Sequence, residues 1–344
     1  MTEPKILSVD VGYGNTKAVW GTTSNQEICF KSLTPSSSVD QKSMEGTSSN
    51  QLNRVQIDVS GNSYLVGPDA FMSGGTYHLD PDYVQRNEYL ALLRGSIHYM
   101  FKQTGEVTRE LDGMVLGLPV SSFARMKAPL MKVAKFEHPV PVPDMFKADF
   151  GHTVMVTVKN VLILPQPLGA LRFNSESSHS GAVEVASDDS VSLVIDPGYD
   201  TFDWLVSKGF QTDLARSGSF QGGVSQLLRE VSSVAGMKLG VGHIDAFECE
   251  TALETGVLHI NGRKIPFTEF LEVAEKAAAE VVDRFISALD KRRRFDHIIM
   301  TGGGAKFYER ALRKRLPDYN ITVAKDSVMH NARGFRMIAC DMLV

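Results

Sequence analysis

Cysteine is scarce. Cys29, Cys249 and Cys340 are the only three in 344 residues, and no two have the spacing of a paired set. That excludes a disulfide framework and a cysteine-built zinc site, and a reducing, cytoplasmic setting is expected. Long hydrophobic runs are missing too. No apolar stretch approaches the roughly 20 residues that span a bilayer, so no membrane segment is expected. The start, Met1-Thr2-Glu3-Pro4-Lys5, lacks the basic head and apolar core of a secretion signal. Positive charge is not in excess: 36 Lys and Arg stand against 40 Asp and Glu, for a net charge of −4. Such a chain gains little from the general field of nucleic acid, so strong direct DNA binding is not expected. Neither the G-x-G-x-x-G fingerprint nor the P-loop pattern G-x-x-x-x-G-K-[ST] is present, which argues against a dinucleotide fold and a P-loop enzyme.

What is present begins at Lys5-Ile6-Leu7-Ser8-Val9-Asp10-Val11-Gly12-Tyr13-Gly14-Asn15-Thr16-Lys17. An apolar strand runs into an aspartate, a tight turn follows, and Thr16–Trp20 leaves as a second strand. Gly12 and Gly14 can take positive φ and leave backbone N–H groups uncovered, which suits an anion. Lys17 adds a mobile cation. Asp10 would repel bare phosphate, so it makes sense with a divalent cation, held through water as magnesium prefers. Taken alone, the stretch is equally an ordinary hairpin with a solvated Asp and Lys.

The length suits two domains of ordinary size. Residues 27–33 read as a third strand and 34–53, rich in Ser, Gln and Asn, as a long mobile loop. A hairpin is expected over 55–66 around Gly61-Asn62. Helical spacing of Leu90, Leu93, Ile97 and Met100 or Phe101 predicts a helix over 89–104. A buried strand over 114–118 stops at Pro119, and a helix follows from 121 or 122 to 133. Strands are expected at 154–158 and 161–164, a helix starting within 165–170, and a Ser-rich loop over 173–189. Ser192–Ile195 and Phe202–Val206 read as strands around a second acidic turn. A helix is predicted over 218–235 with Gly222 and Gly223 at its mouth and Gly236 at its end. Shorter signals give a helix over 243–255 and a turn at Asn261-Gly262. The longest amphipathic helix is expected over 267–289, ending in the basic run 291–294, read as a solvated face that suits a helix C-terminus. A strand at 297–300, a glycine loop at 301–304, a helix over 305–316, a strand near 321–324 and a helix over 332–342 complete the chain.

Three loops share a chemistry. Asp196-Pro197-Gly198-Tyr199-Asp200-Thr201 repeats the first turn: each follows an apolar strand and precedes another. One such turn is easily accidental; two with matching flanks suggest related lobes that open on a common cleft. One aspartate would then help hold magnesium while the other orients or deprotonates a water for in-line attack on a γ-phosphate. The third loop, Thr301-Gly302-Gly303-Gly304, precedes a helix whose N-terminus favours anions. Alone it is equally a close-packing turn.

These residues carry a resemblance. Asp10–Lys17 resembles the first phosphate motif of the actin-like ATPase superfamily, Asp196–Thr201 the second, and Ile298–Ala305 the adenosine motif. Leu164-Pro165-Gln166-Pro167-Leu168-Gly169-Ala170 is similar to the first connecting segment, and Asn331-Ala332-Arg333-Gly334-Phe335 lies where the second belongs. The motifs stand in order across nearly the whole chain, and Gly117-Leu118-Pro119-Val120 adds a likeness to ParM/StbA-type plasmid actins. The resemblance implies an α/β, two-lobed actin-like fold, a duplicated ribonuclease H-like architecture with mixed five-stranded sheets flanked by helices. Domain I would be residues 1–168 plus 330–344 and domain II residues 169–329, with ATP and Mg2+ in the cleft. It further implies ATP hydrolysis coupled to head-to-tail filaments, and plasmid segregation through a DNA-binding adaptor.

Residue by residue, the resemblance makes Asp10 and Asp196 the carboxylates on the magnesium waters. Asp196 and Gln166 are the catalytic candidates, with Gln166 positioning water. Gly12, Tyr13, Gly14, Asn15, Thr16, Lys17, Gly198, Tyr199, Asp200 and Thr201 line the phosphates. Gly302, Gly303 and Gly304 line the adenosine, with Gly222 and Gly223 as further nucleotide-side candidates. Three features depart from the pattern. Pro197 removes a backbone donor, Tyr13 and Tyr199 are bulky, and Gln166 can orient water but not act as a base. The alternative is a non-polymerising relative: a small-molecule kinase, with Asp200 or Asp203 as its substrate carboxylate, or a chaperone-like ATPase. The chaperone reading needs a peptide-binding domain for which the length leaves no room.

Overall fold

The computed structural model describes residues 3–22, 26–37, 52–80, 82–177, 189–242, 244–289 and 294–343. They fall into two compact units, Met1–Glu184 with Met329–Val344, and Val185–Val328.

In the first unit, β1 (Ile6–Val11), β2 (Asn15–Trp20) and β3 (Gln26–Lys31) form an antiparallel meander. The hairpin of β4 (Val55–Val59) and β5 (Asn62–Val66) turns at Ser60 and Gly61, both with positive φ. β6 (Glu110–Leu118) runs parallel to β1, and β8 (Thr153–Pro165) parallel to β6. β7 (His138–Pro141) closes the far edge antiparallel to β8, giving the order β3-β2-β1-β6-β8-β7. Two prolines on that short edge strand remove donors that would otherwise invite another strand. Helix α1 (Asn87–Thr104) crosses between the meander and β6, buried on nearly all sides from Tyr89 to Phe101. It ends at left-handed Gly105, whose N–H caps Phe101 O. Helix α2 (Val120–Ala134) starts directly after Pro119, and α3 (Gln166–Ser177) directly after β8.

In the second unit β9 (Val191–Pro197), β10 (Thr201–Lys208) and β11 (Gln211–Gln221) repeat the meander. β14 (His297–Met300) lies parallel to β9 and β15 (Ile321–Val323) parallel to β14, in the order β11-β10-β9-β14-β15. This is the order of the first unit without its sixth, edge strand, so the repeat announced by the two acidic turns extends to whole sheets. Helices α4 (Val224–Leu239) and α5 (Ala246–Thr255), the hairpin β12 (Val257–Ile260) and β13 (Arg263–Pro266), α6 (Leu271–Ala288) and α7 (Ala305–Arg315) complete the unit. One core joins Leu193, Ile195, Phe202, Phe285, Ile298 and Tyr308, and a second joins Leu228, Val231, Phe267 and Phe270.

The last helix, α8 (His330–Leu343), returns to the first unit and lies along α3 and beneath β1 and β6. Phe335 is fully buried with Ile6 and Val115. The helices touch backbone to backbone: a Cβ on Gly334 would stand 1.7 Å from Gly169 O, and one on Gly169 2.3 Å from Asn331 O. Arg333 adds a two-pronged ion pair to Glu27 on β3. Because α3 is held here, the first unit runs past position 168, the expected end of its first segment.

Several expectations need correction. The first sheet has six strands rather than five. The strands expected at 154–158 and 161–164 are one strand, since Asn160 keeps its place opposite Gly113. The Ser-rich segment is helical as far as Ser177. Residues 218–221 finish β11, and the helix expected from 218 begins at Val224. Gly218 stays extended because the Trp204 ring covers it, with a Cβ there only 2.3 Å from the indole. Gly236 lies inside α4, and left-handed Gly240 ends it. Much of the loop expected over 34–53, the end of that over 173–189, and 291–293 of the basic run lie outside the described residues.

Candidate functional site

The first half-site is built on the β1–β2 hairpin. Asp10 and Lys17 are opposite one another in register, so their side chains share a face. Lys17 Nζ donates to Asp10 Oδ2 at 3.0 Å. Gln166, at the junction of β8 and α3, donates from Nε2 to Asp10 Oδ1 at 2.7 Å. Asp10 is 1% exposed and Gln166 9%. A carboxylate can only accept here, which fixes the amide: its NH2 faces Asp10 and its Oε1 remains to accept from a water. A residue 156 positions away is thereby joined to the hairpin.

The turn itself differs from the expectation. Neither Gly12 nor Gly14 takes positive φ. A Cβ on Gly12 would be a tight fit, 3.1 Å from Asn15 O and 3.3 Å from Lys17 Nζ. Gly12 N donates to Asn15 O at 3.1 Å. Behind the turn stands Ser32, just after β3. Its hydroxyl donates to Gly12 O at 2.6 Å, its N–H donates to Gly14 O at 2.9 Å, and Thr16 Oγ1 lies 2.9 Å from its Oγ. Tyr13 packs rather than standing free: its hydroxyl donates to Asp80 O at 3.2 Å and its ring lies 5.4 Å from that of Tyr83.

The second half-site repeats this plan. Gly198 N donates to Thr201 O at 2.8 Å, the counterpart of the Gly12–Asn15 bond, and Gly198 likewise avoids positive φ. Where the first hairpin sets Asp10 against Lys17, the second sets Asp196 against Asp203. Both aspartates are buried, at 6% and 3% exposure. Facing carboxylates repel unless a cation or a proton is shared between them. Asp203 follows Asp196 at the offset by which Lys17 follows Asp10, so the signal for it was in the sequence.

Helix α4 begins against this turn. Gly222 N and Gly223 N donate to Asp200 O, Val224 N to Gly198 O and Ser225 N to Tyr199 O, at 2.7–3.1 Å. The turn carbonyls thus satisfy the first donors of the helix, and the positive end of its dipole sits under the turn. Gly223 has no room for a side chain: a Cβ would stand 2.5 Å from Tyr199 O. Gly222 and Gly223 are therefore bonded to the turn backbone. Asp200 is also buried, 3.4 Å from Ser225 Oγ, and burial raises its carboxyl. Tyr199 packs against the cluster of Leu228 and Phe267, and burial raises its phenol.

The glycine loop lies against the same turn. Gly302 has φ +82°, the left-handed region, and a Cβ there would stand 2.1 Å from Asp196 Oδ1. Gly304 N donates to Pro197 O at 2.9 Å, so Pro197, which lacks a donor, still serves as an acceptor. Ser327 Oγ donates to Gly302 O at 2.9 Å, a support that no motif marked. Among the described residues a Cβ on Gly303 would meet nothing nearer than Val328 Cγ2, at 3.9 Å. The structure thus brings Asp196, Gly198 and Gly302–Gly304 together in one unit, and Asp10, Gly12–Lys17 and Gln166 together in the other. Among the described residues no group of three or more His, Cys, Asp or Glu forms a metal cage.

Comparison with known proteins agrees with this construction. Residues 8–169 match the family model of the actin-like protein N-terminal domain, and residues 194–314 that of the archaeal actin homologue MreB-like C-terminal domain. No curated protein sequence is similar enough to match. Among solved structures, the archaeal actin homologue Ta0583 superposes with a TM-score of 0.77 at 18% identity, over 98% of this chain and 99% of that one. The same homologue has been solved in complex with ADP. A 15-stranded ParM filament from Clostridium botulinum gives 0.70 at 17% identity, over 99% and 100% of the chains. The filament of AlfA from B. subtilis plasmid pLS32 gives 0.60 at 17%, over 97% and 98%. At these identities the superpositions speak for the fold, and the two domain models, in order on one chain with a duplicated hairpin, speak for descent: the protein belongs to the actin-like family, with ParM-type filament proteins among its structural neighbours.

Proposed function

We propose that the chain is a nucleotide-dependent, filament-forming ATPase of the cytoplasm, and that its two half-sites serve one ATP–Mg2+. The observation that carries this is the repeated hairpin with a buried aspartate on each copy, one joined to Gln166 and the other pressed by Gly302. In this reading Lys17 leaves Asp10 for the phosphates, freeing a carboxylate oxygen for the metal's water shell. Magnesium, when bound, neutralises charge on the phosphate oxygens. The Gly12–Lys17 and Gly198–Thr201 turns hold the phosphates, and Gly302–Gly304 the adenosine side. Gln166, anchored by its NH2, accepts a hydrogen bond from the attacking water through Oε1, and Asp196 orients that water and draws its proton. Asp10 and Asp196 would hold the metal through its water ligands.

Assembly is supported by the filament neighbours, nucleotide binding by the ADP complex of an archaeal one, and a plasmid role by the plasmid origin of another. Segregation would run through a DNA-binding adaptor, since a chain of net charge −4 is a poor direct binder of DNA. Light scattering and phosphate release test the reading together. With ATP and magnesium, but not without, several micromolar protein should scatter light and release phosphate. Asp196→Ala should still bind ATP but hydrolyse it about 100-fold more slowly. No assembly with either ATP or GTP rejects the filament, and unchanged turnover in Asp196→Ala removes that residue from its role.

A further inference from the structure

We propose that Ser32 is the positioning residue of the first phosphate turn, and that the Thr16 hydroxyl belongs to this support rather than to the nucleotide. The proposal rests on reading the hairpin as a phosphate grip. Ser32 is 2% exposed and Thr16 fully buried. Three bonds converge on Ser32, and proton bookkeeping orders them. The Gly12 carbonyl can only accept, so the single Ser32 hydroxyl proton is committed to it. The bond between Thr16 Oγ1 and Ser32 Oγ must then run from Thr16 to Ser32. With its proton directed there, the Thr16 hydroxyl has none to give a phosphate oxygen.

The geometry says what this support does. In a trans peptide the C=O and the next N–H point in opposite directions. Ser32 draws Gly12 O with its hydroxyl and Gly14 O with its N–H. The N–H groups of Tyr13 and Asn15, in the same two peptide planes, are thereby turned away from Ser32. A turn whose φ angles are ordinary keeps its N–H groups aligned only if its carbonyls are held, and here one residue holds two of them. No motif marks Ser32, since it lies one residue beyond β3 and meets the turn only through the β2–β3 register.

The test is titration of the full chain with ATP and with ADP, each with magnesium. Ser32→Ala leaves Gly12 O and the Thr16 hydroxyl unsatisfied and should bind both nucleotides about tenfold more weakly. Ser32→Thr, which restores the hydroxyl, should recover most of that loss. Thr16→Val spares the Ser32–Gly12 bond and should lose less than about threefold. The double variant should be no weaker than Ser32→Ala alone, because both changes cut one chain of bonds. If wild type binds and Ser32→Ala binds equally well, or Ser32→Thr is as weak as Ser32→Ala, the positioning role is overturned. A tenfold loss in Thr16→Val, or additive losses in the double variant, would place the Thr16 hydroxyl on phosphate and overturn its assignment. If wild type itself binds neither nucleotide, the phosphate reading of the hairpin fails instead.

Discussion

At the scale of single residues, each half-site sets its aspartate against a different neighbour. Asp10 faces a cation and an amide, and Asp196 faces a second carboxylate. The first arrangement can release its carboxylate by exchanging an ammonium for a metal. On the proposed function the second is the one that orients the water. Gln166 distinguishes the two tasks, since it touches Asp10 but would act on water. Gln166→Ala should therefore slow phosphate release by about 100-fold in single-turnover measurements, whereas ATP affinity should fall by less than about tenfold. Equal losses in binding and turnover would make the amide a support for Asp10 and nothing more. Asp10, Lys17 and Asp196 were legible because hairpin chemistry is local. Ser32, Ser327 and the contact of Gln166 with Asp10 were not, because each depends on strand register or on a crossover between distant segments.

At the scale of elements, glycines set how closely segments approach. Gly169 and Gly334 let α3 and α8 touch along their backbones, and Gly302 lets its loop rest on Asp196. Gly334→Ala should cost about 1–3 kcal/mol of stability, because the methyl group would meet the Gly169 carbonyl and the helices must part. Urea unfolding measures this, and a variant as stable as wild type would mean that the helices already have room. The strongly periodic helices and the apolar strands before each acidic turn were readable from pattern. Strand β11 was not, since Gly218 reads as the start of the helix until Trp204 is seen to lie over it. The sixth strand, β7, was equally hidden, as its two prolines argue against a strand except at an edge.

At the scale of the molecule, two sheets of matching strand order and two matching turns suit one duplicated origin, and the first unit carries an acid-sensitive interior of its own. His138 is buried, its Nε2 is 3.1 Å from Ala134 O, and burial pushes its imidazole down to about 4. His98, bonded to Pro141 O, is lowered in the same direction by burial. Between pH of about 6.5 and 4 the unfolded chain takes up a proton at His138 that the folded unit refuses. Acidification through that window should remove about 3 kcal/mol of stability, while above it the contribution is constant. Thermal unfolding followed from neutral to acid pH should show this loss, and His138→Gln should flatten it. An unchanged slope in that variant would trace the loss to other groups.

Helix α8 gives the chain a built-in order of events during translation. The residues that make β1 to β8 leave the ribosome first, yet the apolar face of β1 and β6 that receives Phe335 stays uncovered until position 335 has been synthesised. By then every strand and helix of the second unit has already been synthesised. The unit begun first is thus completed last, and a nascent chain carries a waiting hydrophobic face through the synthesis of the whole second unit. Such a face is a natural client for chaperones.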